Sequence, residues 1–113
     1  MYDVNDNSEI AMTLIAYSGE SRTFAFQALE AAKKQDFEQA KEYIEKSETS
    51  SLQAHKAQTE LLVKEANGDA VSVNVLLVHS QDHLMTSMLA LELIKEIIEL
   101  HEVKENRKEE ESF

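Results

Sequence analysis

No cysteine and no proline occur anywhere in the chain, and only two glycines, Gly19 and Gly68, interrupt it. Without cysteine there is no disulfide framework and no thiolate to hold a metal or do redox chemistry. With so few breakers, the periodic apolar pattern points to long helices. No apolar run approaches the roughly 20 residues of a membrane span. The start carries Asp3 and Asp6, unlike the basic opening of a signal peptide. A soluble cytoplasmic protein is the expectation. No glycine-rich phosphate-binding loop is present, so a nucleotide is not the expected ligand.

Basic residues are also scarce, 11 against 22 acidic ones, giving a net charge of −11. Such a surface repels nucleic-acid phosphates and anionic membranes. It favours instead a partner with a basic docking face. The 113 residues are read as one domain, 1–113, whose small size lets it bury only about two-thirds of its surface.

Residues 1–6 are polar and read as a loose end. Asn7 or Ser8 can cap a first helix running to about Lys34, with Ile10, Leu14, Tyr17, Phe24, Ala28 and Ala31 at helical spacing. Gly19 inside it suggests close helix contact or a kink. Asp36 is a good N-cap, and Gln39 three residues on completes a capping-box pattern. A second helix is expected over Phe37–Ala66, with Ala40, Ile44, Ser47, Ser51, Ala54, Gln58 and Leu61 near one face. Pairs such as Glu42–Lys46 and Glu60–Lys64 have the spacing for i,i+4 support. Asn67-Gly68-Asp69 ends this helix. A third starts between Ala70 and Val75 and runs to about Val103, leaving a charged tail, 104–113, expected to fray. Short connections make the helices antiparallel, so the expected fold is all-α, an up-down-up three-helix bundle.

The third helix is unusual. Wound at about 100° per residue, it places Val75, Val78, Asp82, Met85, Leu89, Leu93 and Leu100 on one stripe. Leu77, Leu84, Met88, Leu91 and Ile98 form a second stripe roughly opposite. Two apolar stripes need two surfaces to cover them, and one bundle supplies only one. A homo-oligomer follows from that pattern. His79 and His83, at i and i+4, are neighbours on a strip between the stripes. Asp82 lies inside an apolar stripe, where a lone carboxylate is costly unless compensated. It can be read as a solvated surface acid, as a catalytic acid turned toward His79, or as an interface residue meeting its own copies. In the last case the like charges require protonation or a cation, and oxygen ligands suit a hard ion such as magnesium.

Three motifs carry a family resemblance. Val78-His79-Ser80-Gln81-Asp82-His83-Leu84-Met85 resembles the active-site signature of the lactose/cellobiose class of enzyme IIA in the bacterial sugar phosphotransferase system. Ala16-Tyr17-Ser18-Gly19-Glu20-Ser21-Arg22 is similar to its first-helix motif. Ala54-His55-Lys56-Ala57-Gln58-Thr59-Glu60-Leu61-Leu62, followed by Glu65-Ala66-Asn67-Gly68, is similar to its second-helix motif. The resemblance implies a phosphohistidine carrier. His79 would accept a phosphoryl group from phospho-HPr and pass it to a cysteine of the cognate enzyme IIB. That transfer would drive uptake and phosphorylation of a β-linked disaccharide, with cellobiose or chitobiose favoured over lactose. Imidazole suits the role, since with an ordinary pKa of about 6.5 it is largely neutral and nucleophilic near pH 7. His83 is assigned a supporting role. The resemblance also implies a homotrimer, with one Asp82 per subunit on its axis holding a divalent metal ion, with magnesium the expected one.

Other roles stay open. His55, with Gln58 and Thr59, could approach the site from across the bundle or be structural, and Gln81 faces a different strip from the histidines. Other readings of the constellation compete. His79, Asp82 and His83 could be zinc or di-metal ligands, although His-x-x-Asp-His is a weak metal signature. A histidine phosphotransfer domain of a two-component relay also carries its histidine on a bundle helix. A helical oligomerisation module with no phosphorylation is the third alternative.

Overall fold

The computed structural model describes residues 7–69 and 71–111. Three helices run through them, α1 (Ser8–Lys33), α2 (Phe37–Ala66) and α3 (Val75–Glu111). No strand occurs among the described residues. The chain is a rod of 71 × 23 × 19 Å, in the expected antiparallel up-down-up order.

The ends of the helices show why the turns fall where they do. Both connections after α1 and α2 close with the same pair of backbone bonds. After α1, Gln35 N–H donates to Ala32 O at 2.9 Å and Asp36 N–H to Ala31 O at 3.0 Å. After α2, Gly68 N–H donates to Glu65 O at 3.1 Å and Asp69 N–H to Lys64 O at 3.0 Å. This arrangement satisfies orphan carbonyls and requires a left-handed residue just past the helix. Gly68 supplies it at φ 85°, and Gln35 supplies it at φ 65° without being glycine. Asp36 then caps α2, its carboxylate accepting from Gln39 N–H at 3.1 Å. Asn74 caps α3 in the same way, accepting from Leu77 N–H at 2.8 Å.

Three expectations need correction, and one falls outside the described residues. The charged tail does not fray over its described part, because α3 continues through residues 104–111. Glutamate, lysine and arginine are good helix formers, no breaker intervenes, and Gln35 Nε2 holds Glu105 at 2.7 Å. The expected loose end at 1–6 lies outside the described residues. Gly19 does not interrupt α1 and sits in no close contact, since a Cβ placed there meets nothing within 4 Å. The Glu42–Lys46 and Glu60–Lys64 ion pairs do not form. Lys46 instead lies over the rings of Phe24 and Tyr43, and Lys64 donates to Asn7 Oδ1. Asn7 occupies the N-cap of α1, but its side chain makes no cap bond.

Packing is built on small residues. On α1 the buried positions Ala11, Leu14, Ser18, Ser21, Ala25, Ala28 and Ala32 step by three and four, a heptad seam. Ile10, Tyr17 and Phe24 sit at its rim rather than in it. On α2 the seam is Ala40, Ser47, Ser50, Ala54, Ala57 and Leu61. The core divides into two apolar clusters. Leu14, Ala54, Ala57, Leu61 and Leu84 form the one toward the start of α3. Ala25, Ala28, Ala32, Ala40, Leu91, Ile94 and Ile98 form the other, toward its end. Buried serines lie between them. Ser47 Oγ donates to Ser21 O at 2.6 Å, and Ser21 Oγ approaches Ser47 O at 3.0 Å. These bonds let α1 and α2 approach closely. By contrast, α2 and α3 meet over little of their length.

The two stripes of α3 differ in burial as their periodicity predicts. Leu84, Leu91 and Ile98 are buried. Val75, Val78, Met85, Leu89, Leu93 and Leu100, on the other stripe, are each at least half exposed. Six large aliphatic side chains are buried in the bundle, whereas α3 alone leaves eight large apolar ones on its outer side. Burying a leucine contributes about 1.5–3 kcal/mol, so most of what α3 can gain from burial is unrealised in one protomer.

Candidate functional site

The first turns of α3 position the histidines. Asn74 fixes where the helix begins, and buried Ser80 anchors its inner side by donating to Leu77 O at 2.6 Å. With Ser80 facing inward, His79 is turned outward and is exposed, while His83 one turn later is half-buried. Their rings stand edge to face, centroids 4.5 Å apart and planes at 83°. His83 Nε2 and His79 Nε2 are 3.1 Å apart. At that distance one ring donates an N–H and the other accepts with a lone pair. A proton shared this way also means that both nitrogens cannot carry one without breaking the contact.

The remaining motif residues divide cleanly. Gln81 Nε2 donates to Gln58 Oε1 at 2.8 Å, tying α3 to α2 on the far side from the imidazoles. Gln81 is therefore a tether and not a neighbour of His79. Gln58 is the residue through which the second-helix motif reaches α3. His55 and Thr59 are exposed, and His55 makes no hydrogen bond among the described residues, so the approach considered for it is not seen in the protomer. In the first-helix motif, Ser18 and Ser21 are seam residues and Arg22 stacks over Phe26 at 5.8 Å. That motif builds the bundle. The Gln58–Gln81 tether is not visible from spacing alone, since it depends on how the helices register.

Asp82 is exposed within the protomer, between Val78 and Met85. Its backbone carbonyl accepts from Thr86 Oγ1 at 2.7 Å, but its carboxylate bonds neither imidazole. The catalytic-acid reading of Asp82 has no support in this geometry. Nor do the zinc ligands assemble, as no group of three His, Cys, Asp or Glu side chains able to hold a metal occurs among the described residues. A single protomer offers one carboxylate on its outer stripe and does not by itself fit a metal ion. A groove of about 650 Å³ between α2 and α3, floored by Phe37, Ile44 and Ile98, lies at the other end of the rod from the histidines.

An exposed imidazole at the flank of a helical rod suits a group carrier whose substrate is another macromolecule. The family described as "PTS system, Lactose/Cellobiose specific IIA subunit" matches residues 9–102. The chain belongs to that family and is a phosphotransferase component of the sugar phosphotransferase system.

Among curated proteins it is similar to the N,N'-diacetylchitobiose-specific EIIA component of Escherichia coli strain K12, 46% identical over 100 residues. That alignment covers 88% of this chain and 86% of the relative. Among solved structures it is similar to the cellobiose-specific enzyme IIA from Bacillus anthracis. The TM-score is 0.88 at 38% identity, covering 94% of this chain and 95% of that one. The IIA(Chitobiose) chain of the solution structure of a IIA(Chitobiose)–HPr complex matches with a TM-score of 0.78 at 43% identity, covering 90% and 99%. No helix of the described residues is long and apolar enough to cross a membrane.

Proposed function

We propose that the chain acts in the cytoplasm as a single EIIA-type domain that carries a phosphoryl group on His79 Nε2 between HPr and a cysteine of the cognate enzyme IIB. The observation that carries this reading is the open His79 ring, with His83 Nε2 at 3.1 Å. For His79 Nε2 to be nucleophilic its proton must sit on Nδ1, and the N–H of the pair must come from His83. The lone pair of His79 Nε2 attacks the phosphorus of the donor's phosphohistidine. The donor's P–N bond breaks, and its imidazole leaves with the bonding pair. His83 N–H, losing its acceptor, is left within reach of a phosphoryl oxygen. Transfer onward reverses the roles, as a cysteine thiolate attacks phosphorus and the His79 N–P bond breaks. Positioning carries most of this catalysis.

The HPr partner is supported by the likeness to a IIA bound to HPr. The sugar is a β-linked disaccharide of the chitobiose or cellobiose kind, supported by the relatives' specificities. The outer stripe of α3 is covered by two further copies in a homotrimer. One Asp82 from each copy would hold a divalent cation such as magnesium, which supplies charge neutralisation on the axis and takes no part in the transfer.

Incubation with enzyme I, HPr and phosphoenolpyruvate tests the carrier role. One phosphoryl mass increment is expected on the wild type and none on His79→Ala with unchanged helical content. A protein that stays unmodified contradicts it.

A further inference from the structure

The two imidazoles of α3 have a capacity that phosphoryl carriage does not use. His79 and His83 stand one turn apart, and their Nε2 atoms are 3.1 Å apart. An ion that binds imidazole nitrogen at about 2.0–2.1 Å, with roughly 90–109° between two ligands, spans nitrogens about 2.8–3.4 Å apart. The observed separation lies inside that bite. Both rings already turn their Nε2 edges toward one another, with 83° between their planes. His79 is exposed and His83 half-buried, so an ion held between them keeps its remaining positions for water.

Along α3 nothing repels a cation here. From Val75 to Leu93 the helix carries no lysine or arginine, and the chain's net charge of −11 draws cations toward its surface. The Asp82 carboxylate bonds neither ring, so three protein ligands do not gather among the described residues. Two suffice for a chelate that exchanges with water, in contrast to the closed four-ligand site of a structural metal. Imidazole also selects among ions. It suits zinc, copper and nickel, whereas magnesium prefers oxygen and does not compete for these nitrogens.

We infer that a divalent transition-metal ion (zinc, copper or nickel) chelates between His79 Nε2 and His83 Nε2 and withholds His79 from phosphoryl transfer. The two imidazoles displace two waters from the ion. His83, whose Nε2–H faces His79 in the carrier state, gives that proton to solvent and takes one at Nδ1, so its charge does not change. The His79 lone pair that would attack phosphorus is then shared with the ion. Conversely, phosphorus bonded to Nε2 leaves no lone pair for a metal, so ion and phosphoryl group exclude each other. The chelate stands on geometry alone; the block on transfer rests on the reading of His79 as the phosphoryl acceptor.

Calorimetric titration of chelator-treated protein with nickel tests the site. A binding step is expected that His79→Ala and His83→Ala each weaken at least about tenfold, because one nitrogen of the chelate is lost. His55→Ala, which removes an exposed histidine outside the pair, should leave that step unchanged. Protein phosphorylated through HPr and freed of the donor should bind nickel as weakly as the two variants. The block is read separately, as the rate of transfer from purified phospho-HPr at fixed magnesium with zinc added. Zinc should slow transfer to the wild type at concentrations at least about tenfold below those that slow transfer to His83→Ala. Nickel binding that survives either alanine, or zinc inhibition equal in both proteins, overturns the proposal. Pair-dependent nickel binding that phosphorylation leaves intact overturns the block and the assignment of the phosphoryl group to His79 Nε2 together, with the chelate itself upheld.

Discussion

Asp82→Leu isolates the cost of the carboxylate set between Val78 and Met85 on the outer stripe of α3. In the protomer its neighbours along that stripe, Val78, Met85 and Leu89, are 50%, 63% and 55% exposed. When copies cover the stripe, each Asp82 carboxylate loses water and meets its own kind, a situation that demands a bound cation or a proton. Leucine removes that repulsion and fills the gap between Val78 and Met85 with apolar surface. Full burial of a leucine contributes about 1.5–3 kcal/mol, and replacing buried ionic groups by hydrophobes is neutral or stabilising by roughly 1–4 kcal/mol. A gain of about 1–3 kcal/mol per copy is therefore expected, and a rise of several degrees in melting temperature. The assay is a thermal melt at fixed protomer concentration, with and without magnesium, beside sedimentation of the same samples. Fixed concentration matters because melting of an oligomer depends on mass action. The variant should remain trimeric, melt higher, lose any response to the cation and still accept phosphate on His79. A monomeric variant would refute the reasoning by showing that the carboxylate makes contacts the assembly needs. A trimeric but transfer-dead one would return Asp82 to the active site.

Three further outcomes are expected. His83→Ala should slow phosphoryl transfer from HPr without abolishing it, as followed by rapid-quench sampling, because the 3.1 Å partner of His79 orients the ring rather than reacting. Ser47→Leu should destabilise the fold by about 1–3 kcal/mol or more in urea denaturation, whereas Ser47→Ala should cost about 1 kcal/mol or less. The reason is the 2.6 Å approach of Ser47 Oγ to Ser21 O, which leaves no room for a larger side chain. Gly68→Ala should cost about 1 kcal/mol, since an L-residue at φ 85° is strained by roughly 1–2 kcal/mol while the stiffer unfolded chain returns about 0.4–1. Nothing lies within 4 Å of a Cβ there, so the loss is conformational and not steric.

Much of this was legible from residue order because it depends on local rules. Asp36 and Asn67-Gly68 set the bounds of α2, and the i,i+4 spacing of His79 and His83 brought their rings together. The two stripes of α3 followed from periodicity. What was hidden depended on contrast or on register. The Ala/Ser seam of α1 and α2 has little hydropathy contrast, so larger residues such as Tyr17 and Phe24 looked like the core face when they are its rim. The Gln58–Gln81 bond needs the relative slide of two helices, which spacing within one helix does not supply. The reach of α3 to Glu111 was obscured because a run of charges reads as solvated tail and as exposed helix alike.

The most direct test of the central claim is to locate the phosphoryl group by long-range proton–nitrogen NMR of the protein phosphorylated through HPr. Phosphorus coupling to Nε2 of His79, with His83 unmodified, is the expected result; coupling on His83, or on Nδ1 of His79, would contradict it.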